Sequence, residues 1–218
     1  MNSTQMRNTI ETLRDLYKAP CYDNDELEVF INSAISAFVN RCIPSDKGDN
    51  YIKQLESQKT WDQISTLVSS VTKTGVDVVT GNQATAILDY ATAYIEKPTN
   101  YWFYYLGRAK INNKYAKLIP MTYSEINNAV EDGFNYPDDD NVLCTFVGNK
   151  IVICSKTAPT EVKLIYIQEP AKVVIGSVDC NLPASTHDEI CHMATQLSAG
   201  GSALWELYKI QENEISKR

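Results

Sequence analysis

The spacing of apolar residues changes period twice along this chain, and that change constrains the fold more than any single motif. Up to about residue 72 apolar residues recur three and four apart, the period of a helix face. From about residue 75, β-branched and aromatic residues rise in short runs broken by turn signals. After Leu182-Pro183 the helical period returns. Helices, then strands, then helices is a segregated order. It predicts an α+β fold, with a helical bundle drawn from both chain ends and an antiparallel β-rich part, rather than an alternating parallel sheet. The corresponding domains are 1–72 with 182–218 for the bundle and 73–181 for the β-rich part.

Local signals fill in this plan. Met6, Ile10, Leu13 and Tyr17 share a first helix face, stopped by Pro20. Asp23 and Glu26 are spaced as a capping box for a stripe of Leu27, Phe30, Ile31, Ala34 and Phe38 that ends before Pro44. Residues 45–50 read as a loop and 50–57 as a short helix. Thr60 and Gln63 resemble the cap of another helix, running through Trp61, Ile64, Leu67, Val68 and Val71. Residues 84–95 fit helix or strand equally. Tyr101 to Leu106 is a dense aromatic run, and Asn112-Asn113 turns the chain into KYAKLIP. Thr122 to Asp132 reads as a short capped helix. Gly148-Asn149, between Val142–Val147 and Lys150–Cys154, is the best hairpin signal. Glu161–Gln168 is a strand ended by Pro170. Thr186 and Glu189 are spaced as a capping box ahead of Ile190, Met193, Ala194 and Leu197. Beyond Gly200-Gly201, Leu204 to Ile215 fits a last helix.

The chemistry-bearing residues do not converge on a catalytic set. There is no GxSxG, phosphate loop or GxGxxG. The six cysteines, at 21, 42, 144, 154, 180 and 191, form no CxxC pair and read as reduced, mostly buried thiols. His187 and His192 point about 140° apart on a helix, which is not a metal-ligand spacing, and read as exposed helix-face residues. A dyad of Cys191 or Cys180 with His187 is conceivable, but packing is the better reading. Asp138 to Asp140 are consecutive, so their carboxylates diverge, and a solvated loop fits better than a cation site. Strand alternation puts Tyr101, Phe103 and Tyr105 on one face, with Phe103 in the core. Trp102 and Tyr104 fall on the other, an interface candidate because Trp and Tyr are enriched at protein contacts. Trp205, after the Gly-Gly hinge, is a third interface candidate.

The 218 residues carry 27 acidic and 20 basic side chains, a net charge of −7. That balance argues against a broad nucleic-acid surface, which needs clustered Lys and Arg. Mean hydropathy is −0.29. No apolar run approaches the roughly 18–20 residues of a membrane span. The start, MNSTQMRNTIETLRDLYK, lacks the apolar stretch of a signal peptide, so a soluble protein made in a cytoplasm is expected.

Taken in order, several segments resemble the virion structural proteins of tailed bacteriophages, in particular the neck-ring or head-to-tail connector proteins of crAss-like phages. They are DNDELEVFINSAISAFVNRCI, YIKQLESQKTWDQISTLV, KPTNYWFYYLGRAKI, IPMTYSEINNAVEDGFNYP, KLIYIQEPAKV and CNLPASTHDEICHMATQLSAG. The resemblance spans about residues 5–205. It implies a non-enzymatic ring, typically twelve-fold, lying beneath the portal protein, extending the DNA channel and docking the tail. The implied partners are further copies of the chain, the portal, and adjacent neck or tail ring proteins. Genomic DNA would pass through without specific binding, and an acidic lumen would suit that passage. The implied location is the virion, after synthesis in the host cytoplasm, with no membrane partner. No catalytic residue, cofactor or metal comes with the family. The rival readings are another phage ring protein (tail terminator or head completion), a small hydrolase using the Cys and His residues near 180–192, and a bacterial interaction module.

Overall fold

A computed structural model of the chain describes residues 1–16, 22–43, 58–79, 92–132 and 136–198. The protein folds as two compact units: residues 1–67 with 170–218, and residues 68–169.

The first unit holds helices α1 (Ser3–Leu16), α2 (Asn24–Cys42), the short α3 (Gln58–Ile64) and α5 (His187–Ser198). α5 packs on both α1 and α2. Asp23 caps α2: its carboxylate accepts the Glu26 N–H, and Glu26 accepts the Asp23 N–H. Leu27, Ile31, Ala34, Ile35, Phe38, Val39 and Cys42 form the buried stripe of α2. On α1 the buried positions are Ser3, Met6, Ile10 and Arg14, so the stripe ends on a cation where Leu13 was expected. Arg14 stacks over the Tyr22 ring at 4.3 Å. On α5 the buried face is His187, Ile190, Cys191, Ala194, Thr195 and Ser198, whereas Leu197 is exposed. Thr186 does not cap α5. Its hydroxyl turns back to the Pro183 carbonyl and closes a 3-10 turn over Ala184–Thr186.

The segment leading back from the second unit is laced to these helices by side chains. Asn32 receives the Val173 N–H and donates to the Val173 carbonyl. Glu28 accepts the Ile175 N–H, and Asp179 accepts the Ser3 N–H at 2.7 Å.

The second unit is an eight-stranded sheet with helix α4 (Tyr123–Glu131). The strands are β1 (Val68–Lys73), β2 (Asp77–Val78), β3 (Ala93–Glu96), β4 (Tyr101–Ile111), β5 (Lys114–Pro120), β6 (Val142–Val147), β7 (Lys150–Cys154) and β8 (Glu161–Gln168). Their order is β1-β8-β4-β5-β6-β7-β3-β2. The α+β plan therefore holds, with one departure: β5 and β6 pair in parallel. Parallel neighbours need a crossover, and α4 supplies it. Its Ile126 and Ala129 pack on Leu143, Val152 and Cys154, on one face of the sheet. The opposite face gathers Ile95, Ile111, Leu118, Val142, Ile151, Ile153 and Leu164.

β1 and β2 are the two sheet edges, yet only residues 74–76 separate them. Eight flat strands would place the edges about 34 Å apart, whereas four residue steps span at most about 14 Å. The sheet must therefore curl into an incomplete barrel. Following the pairings round, β1 and β2 run in the same direction. They are two halves of one bent strand that bonds β8 first and β3 second. Val71 and Val76, either side of the bend, both pack on the barrel interior. The three-apart spacing of Val68 and Val71 had suggested a helix. The chain instead leaves the helix at Ile64 and passes through a 3-10 turn into β1.

Two-residue turns fix the hairpins. Asn112 and Asn113 have φ of 49° and 63°, the left-handed pair that matches strand twist. Gly148, at φ 54°, does the same for β6 and β7. The 84–95 stretch resolves only at its end, where β3 begins at Ala93; residues 84–91 lie outside the described residues.

Candidate assembly surfaces

The aromatic run opens β4, the longest strand of the sheet. Strict alternation does not survive there. Register shifts between Tyr101 and Phe103, and between Tyr104 and Leu106, interrupt the pairing with β8. A bulge adds a residue to one strand and swings later side chains to the other face. As a result Tyr101 and Tyr104, not Phe103, pack on the barrel interior. Tyr101 stacks on Tyr166 at 5.8 Å, and Tyr104 meets Phe146 edge-on at 5.5 Å. The Tyr104 hydroxyl donates to the Leu118 carbonyl at 2.8 Å, and burial pushes its phenol well above the usual range. Of the two aromatic interface candidates on this strand, Tyr104 is thus committed to the interior. Trp102 stacks on Phe103 instead, at 5.1 Å, and both rings are half-buried. The third candidate, Trp205, lies outside the described residues.

Lys97 sits at the tip of the β6–β7 hairpin. Its ammonium donates to the Gly148 carbonyl and lies 5.4 Å and 5.5 Å from the Tyr101 and Phe146 ring centres. Lys150 lies 3.8 Å over Tyr94. These cations face rings of their own chain, an arrangement that stabilises the barrel end without presenting a phosphate track.

The Cys and His residues near 180–192 are close in sequence but are engaged separately. His187 is buried, correcting the exposed-face expectation, while His192 is exposed as the opposite side of the helix requires. The His187 Nε2 bonds the Leu182 carbonyl at 2.9 Å, so it carries the proton, and Nδ1 accepts from the Met1 ammonium at 2.9 Å. Both ring nitrogens are occupied, leaving none to activate a thiol. Burial pushes the Cys191 thiol up to about 12, with Asp188 and Cys180 adding to the shift. Such a thiol is a poor nucleophile. Cys42, Cys144, Cys154 and Cys180 are also buried, free and shifted upward by desolvation.

The acidic loop is an internal brace. Asp139 accepts from the Thr157 N–H and hydroxyl and from the Asn112 amide, and Asp138 accepts the Asp140 and Asn141 N–H groups. Among the described residues no group of three or more His, Cys, Asp or Glu is placed to hold a metal ion. No described helix is long and apolar enough to cross a membrane.

Sequence reasoning missed one surface. On α2, opposite the buried stripe, Asp25, Glu28, Val29, Asn32, Ser33, Ser36, Ala37 and Asn40 line an open groove of about 670 Å³, with Lys172 on its flank. Val29 is 62% exposed. The signal was present in the sequence: small and uncharged residues fill the outward positions from Val29 to Asn40, where a solvated helix face ordinarily carries charges. This groove and the Trp102–Phe103 pair are arrangements that suit protein contact.

Residues 1–204 match the family model described as phage tail ring protein 3/4. No curated protein matches the chain.

Proposed function

Because the chain belongs to the phage tail ring protein 3/4 family, a family of crAss-like phage ring proteins, we propose that it is a non-enzymatic connector layer between head and tail. Its copies form a closed ring beneath the portal, twelve-fold if it matches the portal's usual symmetry. The ring extends the DNA channel and docks the next tail ring. The observation that carries this reading is the family match across nearly the whole chain. A ring built from one chain needs two unlike surfaces per subunit, because a head-to-tail contact is heterologous. The open groove on α2, polar and lightly charged, and the Trp102–Phe103 pair on β4 support that requirement. Trp102 and Trp205 are the aromatic anchors of this reading, with Tyr104 serving from behind as a packing residue. The net charge of −7 supports a channel wall over which DNA slides without counterion-releasing contacts.

Native mass spectrometry of the full chain, alone and with the portal of the same phage, tests the reading. A discrete ring, formed alone or on the portal, is expected. A monomer in both conditions overturns it. A ring that forms with tail proteins and never engages the portal moves the layer down into the tail.

A further inference from the structure

We propose that a cationic row on the outer face of the barrel, Lys163–Arg108–Lys117, docks the acidic N-terminal turns of α2 from a neighbouring copy. This rests on the ring reading and names the contact that closes it.

The row follows from register. Arg108 on β4 stands directly opposite Lys163 on β8 and directly opposite Lys117 on β5. Successive side chains of a strand point to opposite faces. Ala109, Leu118, Val162 and Leu164 belong to the barrel interior, so Arg108, Lys117 and Lys163 point outward, and all three are exposed. Neighbouring strands lie about 4.8 Å apart, which puts three cations within about 10 Å of sheet. Like charges directly opposite one another destabilise a sheet. The two ion pairs among the described residues, Arg7–Glu11 and Arg41–Glu189, involve none of the three. A chain with 27 acidic and 20 basic residues thus leaves this row without a described carboxylate to offset the repulsion.

The flanking rows decide what kind of partner fits. On one side Leu106 stands opposite Ile165, both half-buried. On the other, Lys110 lies between Glu161 and Tyr115, and the Tyr115 hydroxyl donates to the Glu161 carboxylate at 2.7 Å. An apolar row beside a cationic one suits a protein surface that carries carboxylates next to an apolar side chain. A phosphate backbone would gain nothing from Leu106 and Ile165 and would meet the Glu161 carboxylate on the same face.

The N-terminal end of α2 is such a surface. Asp23, Asp25, Glu26 and Glu28 crowd it, against one flanking cation, Lys172. Val29, at 62%, is the most exposed large apolar side chain among the described residues. Asp25 and Val29 are four apart, so they share a helix face, about 6 Å apart along the axis. On the sheet the cationic and apolar rows are two residues apart, about 6.8 Å. A helix laid along β4 therefore brings Asp25 to Arg108 while Val29 meets Leu106 and Ile165. The two patches are unlike, so the contact is heterologous and each subunit keeps one of each for its next neighbour.

Native mass spectrometry and sedimentation of the full chain, under conditions in which the parent assembles, read the result. Arg108→Glu is expected to weaken self-association tenfold or more without lowering the thermal midpoint of the subunit, because it sets a carboxylate between two cations. Asp25→Arg, which spares the Asp23–Glu26 cap, should weaken association to a similar extent. Combining the two should restore association to within about threefold of the parent, since the pair is exchanged rather than lost. A lowered midpoint in Arg108→Glu assigns the row to the stability of the subunit and overturns the contact. Rings that form equally well with Arg108→Glu, or a combination no better than its parts, also overturn it and leave the ring reading standing. So does a fluorescent DNA duplex that binds the parent at physiological salt and fails to bind Arg108→Glu, which would assign the row to phosphate. A parent chain that stays monomeric alone and with the portal overturns both.

Discussion

Gly107 lies in the middle of β4, opposite Leu118 on β5 and Leu164 on β8, and its lack of a side chain is required by what crosses it. A Cβ at this position would stand 2.7 Å from Leu118 Cδ1 and 3.0 Å from the Tyr104 hydroxyl. Leu118 is fully buried, and that hydroxyl is bonded to the Leu118 carbonyl, so neither neighbour can retreat freely. In Gly107→Ala, overpacking costs about 1–3 kcal/mol and the strained hydrogen bond about 1 kcal/mol more. The stiffer backbone of alanine returns about 0.5–1 kcal/mol. The net is a loss of about 2 kcal/mol, because the steric term exceeds the entropic one. For a unit of this size that lowers the thermal midpoint by on the order of 10 °C. Tyr104→Phe leaves the Leu118 carbonyl without its donor and costs about 1 kcal/mol. It also removes the oxygen that the new methyl strikes, so the double variant should lose less than the sum of the singles, by about 0.5–1 kcal/mol. Calorimetry with urea titration measures all four proteins. A Gly107→Ala protein as stable as the parent, or strict additivity in the cycle, would refute the argument that Tyr104 holds this position empty.

Three further outcomes are open to measurement. Asn113→Ala places a β-carbon at φ 63° and should cost about 1 kcal/mol, whereas Asn113→Gly should be tolerated; chemical denaturation separates them. With the Cys191 thiol pushed up to about 12, only about one molecule in 10⁴ is thiolate at pH 8, so iodoacetamide should label it on unfolding and not before, as peptide mass spectrometry would read. The Ser3 N–H and hydroxyl hold the Asp179 carboxyl below its ordinary range, with the Met1 ammonium and His187 adding smaller effects. A depressed folded value means its contribution is complete above about pH 4 and is lost as pH falls through that folded value. Asp179→Asn should therefore lower the thermal midpoint at pH 7 and converge with the parent near pH 2. A gap that persists in acid would contradict this.

Local chemistry was easier to read from the sequence than pairing was. Asp23 and Thr122 announced their helices because a cap is decided by a side chain and a backbone N–H three residues apart. Asn112-Asn113 and Gly148 announced their turns because few residues accept a positive φ. Val68 and Val71 misled, since a spacing of three suits a helix while the partner strand β8 lies about a hundred residues away. The parallel pairing of β5 and β6 was hidden for the same reason. At the candidate surfaces, the bulges in β4 reassigned Tyr101, Phe103 and Tyr104, because one inserted residue changes which face the next side chain occupies. His187 was misread, and the burial of Arg14 was not foreseen, because burial of a polar group depends on partners outside its own helix stripe: the Leu182 carbonyl and Met1 for one, the Tyr22 ring for the other. The α2 groove was visible in outline as a helix face of small and uncharged residues from Val29 to Asn40, but what forms its flank, Lys172, arrives from far along the chain.

The helical unit is interrupted: α1 and α2 precede the barrel in the chain, and the helix that packs on them both, α5, follows it. About a hundred residues of barrel are synthesised in between. At roughly 5–20 residues per second that is an interval on the order of 5–20 s. Throughout it Met6, Ile10, Leu27, Ile31 and Phe38 have no α5 to pack on. The barrel is no quicker to help, since its bent edge strand waits for β8 to close. The nascent chain thus carries its stickiest surfaces first and its cover last. The inner face of α2 is therefore covered only after α5 has arrived, so the helical unit is completed late in synthesis.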